Sequence, residues 1–91
     1  MNSTIERLKM KGIVRDINWD RGMVGVETEN EGFTIFQILT CDNLHLGDEL
    51  AWNENHPLGH ADIKNLTTKE QFEVFFENHW IGTNDLRRLL L

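Results

Sequence analysis

Cysteine, proline, serine and tyrosine are almost missing from these 91 residues: Cys41, Pro57 and Ser3 each stand alone, and there is no tyrosine. A single cysteine excludes an internal disulfide and a cysteine-built metal cage. Cys41 reads as a small buried hydrophobe, and the carboxylate of Asp42 beside it disfavours the thiolate that a catalytic thiol needs. Ser3 lies near the chain start, so nucleophilic catalysis has little to work with. A Gly-rich phosphate loop is also absent, because RGMVGV (21–26) has the pattern of a hairpin and not of a strand–loop–helix. No apolar run approaches the ~20 residues that span a bilayer, and MNSTIERLKMK lacks the apolar centre of a signal peptide. The expectation is one domain over 1–91, cytoplasmic, off the membrane, non-enzymatic and without a cofactor.

Positive charge is missing from a long central stretch. Residues 22–63 hold no Lys or Arg and eight acids, whereas residues 1–21 hold five Lys/Arg against three acids. The last 28 residues balance, and the whole chain carries −6. That total opposes broad affinity for phosphate backbones, although a basic first strand precedes the acidic stretch.

What is present is β pattern. STIE (3–6) has capping-box spacing but begins only a short turn. From Lys9 onward Ile13, Val14 and Ile17 put apolar groups on both sides of the run, as in a bent strand of a closed sheet. NWDRG (18–22) is a turn. MVGVETE (23–29) alternates, with Val24, Val26 and Thr28 opposite Met23, Gly25, Glu27 and Glu29. ENEG (29–32) reads as a hairpin loop, FTIFQIL (33–39) as a third strand, ELAW (49–52) as a fourth and ADIKNLT (61–67) as a fifth. The proline-bearing NENHPLGH (53–60) is loop. Five short strands with three consecutive, a longer connection and two more follow the order of an OB-type barrel. FEVFFENHWI (72–81) then reads as an appended strand, with Phe72, Val74 and Phe76 on one face. GTNDLRRLLL (82–91) reads as a short helix capped by Thr83 or Asn84, with Asp85 in its first turn and Arg87 and Arg88 in its last. Leu86, Leu89 and Leu90 form its stripe. A helix this short needs something to pack on.

Residues 12–66 resemble a cold-shock domain, the five-stranded OB barrel that binds single-stranded RNA or DNA. Gly12-Ile13-Val14-Arg15-Asp16-Ile17-Asn18 looks like the family's opening G-K-V-K-W-F-N. Arg21-Gly22-Met23-Val24-Gly25-Val26 looks like its first RNA-binding motif, K-G-F-G-F-I. Ile35-Phe36-Gln37-Ile38-Leu39 looks like its second, V-F-V-H-F. Leu46-Gly47-Asp48-Glu49-Leu50 and Asn65-Leu66 resemble the later E-G-x-x-V and N-V. The first hairpin carries most of the likeness.

The resemblance implies a fold and a ligand class: a mainly β, small five-stranded OB-type barrel that binds single-stranded RNA or DNA. Lys11, Arg15 and Arg21 would meet phosphates; Phe36, with Trp19, would stack on bases, on a face shared with Met23 and Ile38. The departures point the other way. Asp16, Met23, Gly25, Ile38 and Leu39 stand where the family places rings or a histidine, and each lost base–ring stack removes about 1–3 kcal/mol. The alternative is a protein-interaction or homodimerisation module that has lost the aromatic platform. In the family's register Val24, Val26, Ile35 and Gln37 face the interior, and Met23, Gly25, Phe36 and Ile38 face outward. The apolar tail either covers that outer face, from the same or a second subunit, or plugs an end of the barrel.

Other constellations are weaker. His56 and His60, with Glu54 or Asp62, could offer metal ligands, but Pro57 and Gly59 break the helical spacing that would present them together. Glu27, Glu29 and Glu31 read as solvated carboxylates. Trp52 is expected in the core, Trp80 in the packing of the tail, and Trp19 in the turn beside Arg21 as a displaced stacking ring.

Overall fold

The computed structural model describes residues 10–29, 32–40, 43–53 and 58–90. The STIE segment, Cys41, Asp42, Glu54, His56 and Pro57 lie outside them, so their expected roles do too. Alternating apolar residues build six strands and one helix: β1 (Met10–Asn18), β2 (Met23–Thr28), β3 (Phe33–Ile38), β4 (Glu49–Trp52), β5 (Gly59–Asn65), β6 (Gln71–Ile81) and α1 (Thr83–Leu90). The strands close into an antiparallel barrel in the order β1-β2-β3-β6-β5-β4.

The wall therefore has six strands, not five, and β6 is no appendage. It pairs with β3 on one side and β5 on the other. The reason lies in its inward residues. Phe72, Val74 and Phe76 are buried in one cluster with Val14, Val24, Val26, Phe36, Leu44, Leu50, Trp52 and Ile63. Phe76 packs edge-on to Phe36 at 5.7 Å and against Trp52 at 5.4 Å, and Phe36 meets Phe72 at 6.4 Å. Four large rings need a wider interior, and barrel diameter grows with strand number.

As expected, β1 is bent. Its register with β2 shifts between Val14 and Asp16, so Arg15 is the bulged residue. Gly12 faces inward, where an added Cβ would run into Val26 Cγ1 and stand 3.0 Å from the Glu27 carbonyl oxygen. Asp48 and Asn65, at the start of β4 and the end of β5, are buried and joined at 2.9 Å. Asn65 Oδ1 accepts from the N–H groups of Thr67 and Thr68, which shapes the turn into β6.

The β2–β3 hairpin corrects the expected register of β3. β2 ends at Thr28 and β3 begins at Phe33, so the loop is 29–32 as read, and Thr28 N–H and Oγ1 both donate to the Gly32 carbonyl. Gly32, the last residue of the loop, takes a left-handed φ of +71° that glycine accommodates. The pairing is offset by one residue from the expected one, and such an offset turns the whole third strand over. Val24 now pairs with Phe36 and Gly25 with Ile35. Phe36 is fully buried and Ile38 packs against the main core, while Gln37 is exposed. The expected interior places of Ile35 and Gln37, and the outward places of Phe36 and Ile38, are reversed. Val24 and Val26 point inward and Met23 and Gly25 outward, as read from the sequence.

β6 carries two extra residues opposite β3, one between Phe76 and Asn78 and one between Asn78 and Ile81. Trp80 sits in the second bulge at φ +57° and is 63% exposed, so its expected burial in the packing of the tail is not found. The first helical bond runs from Asp85 N–H to the Gly82 carbonyl. The cap position thus falls on Gly82, and neither Thr83 nor Asn84 fills it. Asp85 does lie in the first turn, bound to Arg88 at 2.8 Å.

Candidate binding surface

The outer face of β2 and β3 is occupied. After Ile81 the chain reverses at Gly82, and α1 runs back over the sheet. Leu86 and Leu90 are buried there with Ile35, flanked by Met23, Phe33, Ile81 and Leu89. Gly25 makes the approach possible, since an added Cβ would stand 2.7 Å from Leu86 Cδ1 and 3.4 Å from Leu90 Cδ1. At the far end Asn18 Nδ2 donates to the Leu90 carbonyl at 2.7 Å, satisfying one of the open carbonyls of the helix terminus. The two halves of the tail have separate tasks: β6 completes the wall, and α1 covers the outer face of β2 and β3.

The seven candidate contact residues do not form one site. Met23 is half-buried beneath α1, Phe36 is in the core, and Ile38 is half-buried against it. Lys11 and Arg21 are exposed, Lys11 near the start of β1 and Arg21 in the turn beyond its end, with roughly 23 Å of strand between Lys11 and Asn18 at about 3.3 Å per residue. Lys11 lines a shallow groove with Gly12, Ile13, Thr28 and the carboxylates of Glu27, Glu29 and Glu49, an environment hostile to phosphate. Arg15 is engaged, its Nε 2.8 Å from Glu27 Oε1.

The β1–β2 turn is where an expected ring and an expected cation are exposed together. Arg21 N–H donates to the Asn18 carbonyl and Gly22 N–H to the Trp19 carbonyl. Gly22 accommodates φ +67°. Trp19 is 51% exposed, with Arg21 two residues on. Because Ile38 N–H donates to the Gly22 carbonyl at 2.7 Å, the exposed Leu39 leaves β3 beside this turn. Trp19, Arg21 and Leu39 therefore mark one end of the barrel.

Two contributors were not singled out in the sequence. Ile35 forms the seat of α1, and its outward place depends on the hairpin register. Asn18 holds the helix end, and nothing in a turn-like Asn announces a partner 72 residues away. Of the histidine pair, His60 stands edge-on to Phe75 at 5.2 Å, while His56 and Glu54 lie outside the described residues, among which no three His, Cys, Asp or Glu stand together as metal ligands. Among the described residues no helix is long and apolar enough to cross a membrane. Comparison with protein-family models, with curated proteins and with solved structures finds no match to this chain.

Proposed function

We propose that this chain is a non-enzymatic protein-interaction module, self-association included, on a barrel that resembles the cold-shock OB domain. The observation that carries this reading is the seating of Leu86 and Leu90 on Gly25. The face on which the family stacks bases is here filled by the chain's own leucines, and Phe36 has turned into the core. Trp19, Leu39, Leu46, Leu58 and Trp80 remain exposed on an acidic protein, and exposed aromatic and aliphatic side chains are what protein partners bury. The closed barrel makes strand addition at a sheet edge a poor route, so association would run through side chains or through α1.

One observation favours a second reading, weak binding of single-stranded RNA or DNA. Trp19 and Arg21 place a ring and a guanidinium in the same exposed turn, outside the reach of α1. Short oligonucleotides titrated at low salt, with tryptophan fluorescence as readout, separate the two. The first reading expects no response and a concentration-dependent dimer in sedimentation velocity. Quenching that weakens with salt and disappears in Trp19→Ala would replace it with the second.

A further inference from the structure

We propose that residues 81–90 exchange between two copies of this chain, the Ile81–α1 segment of each seated on the β2–β3 face of the other. This rests on the self-association reading and gives it a mechanism.

Three observations converge on the hinge. First, the apolar contacts of the segment are separable from the barrel. Ile81, Leu86, Leu89 and Leu90 pack with Met23, Phe33 and Ile35, and none belongs to the cluster that fills the barrel. The segment can leave without opening the main core. Second, the residue that precedes the segment is strained. Trp80 sits at φ +57°, a region that suits glycine and is an outlier for a bulky side chain. Strain of this kind persists only where the surroundings impose it. Third, the reversal is short, with Gly82 alone between β6 and α1. Short strained hinges favour exchange of the element they carry.

A return of Trp80 to extended φ removes the strain and redirects the chain ahead of Gly82, so that Ile81 and α1 leave their own barrel. The seat left behind holds Gly25 and Ile35 open to an identical segment. A second copy brings Leu86 and Leu90 at the right spacing, an Ile81 to pair with Phe33 and a Leu90 carbonyl for Asn18. Two reciprocal exchanges form a closed twofold dimer that repeats every contact of the monomer, so its stability over the monomer is set mainly by the hinges.

Hinge variants of the full chain test this in sedimentation velocity. Trp80→Gly accepts positive φ and Trp80→Val resists it, while both delete the indole. Trp80→Val is expected to dimerise more tightly than Trp80→Gly by about tenfold per hinge, or roughly a hundredfold per dimer. Equal dimerisation of the two, loss of the dimer in both, or a wild-type chain monomeric throughout would overturn the exchange. A dimer indifferent to the hinge would leave the self-association reading standing, whereas a lasting monomer would remove both. Complementation adds a check that does not depend on φ. Gly25→Val spoils the seat and keeps the helix; Leu86→Asp spoils the helix and keeps the seat. The mixture is expected to form a one-to-one heterodimer that neither variant forms alone, and its absence would count against the proposal.

Discussion

Position 25 decides whether a helix can lie on this sheet. A methyl group there meets Leu86 Cδ1 at 2.7 Å, the end of a flexible side chain that can swing aside. Gly25→Ala is therefore expected to cost less than about 1 kcal/mol, and Gly25→Val about 1–3 kcal/mol through overpacking. The loss should fall on α1, read as decreased helical circular dichroism with the barrel transition preserved. Gly12 is the useful contrast. Its added methyl group would meet Val26 Cγ1 and the Glu27 backbone, inside the wall. Gly12→Ala should lower the midpoint of barrel unfolding in urea by more than Gly25→Ala does. The same residue type thus guards an outer face in one place and the interior in the other. The sequence singled out Gly25 only through its likeness to a motif that carries rings. It did not tell that Gly25 is small because Leu86 rests on it, since that partner lies 61 residues further along the chain.

The elements were legible where their signals were local. Alternation in MVGVET, the short apolar run of ELAW, the turn at NWDRG and the leucine stripe of α1 all fall where read, because each depends on neighbours within a few residues. The orientation of β3 did not, because a single residue of register separates two pairings that both bury valines on β2. The closing role of β6 is a property of pairing between distant strands, and no local pattern distinguishes a wall strand from an added one. Asn65 shows how much such long-range pairing can rest on one side chain. It donates to buried Asp48 across 17 residues of chain and accepts from two N–H groups of the following turn. Asn65→Ala leaves a buried carboxylate short of a donor and two amides open, at an expected cost of about 3 kcal/mol. Asn65→Asp, which sets two buried carboxylates against each other, should cost at least as much. Urea denaturation that places either variant within 1 kcal/mol of wild type would refute this account of the clamp.

At the scale of the whole molecule, salt separates the two ways this barrel could bind. Each copy carries −6, so two copies repel at long range, and the exchange contacts between them are apolar. Added salt screens the repulsion over a Debye length of about 10 Å at 0.1 M and leaves apolar burial intact. Self-association should therefore strengthen between 50 and 300 mM sodium chloride. Nucleic-acid binding has the opposite sign, because cations released from the phosphates are driven back by added salt. With Arg15 engaged by Glu27 and Lys11 among three carboxylates, Arg21 is the main exposed cation of the expected set, so the slope of log affinity against log salt should not pass about −1. Sedimentation and oligonucleotide titration on one salt series thus give opposing trends. A dimer that weakens as salt rises would mean that charge pairs hold the copies together, and the apolar seat of α1 would then not be the surface they share.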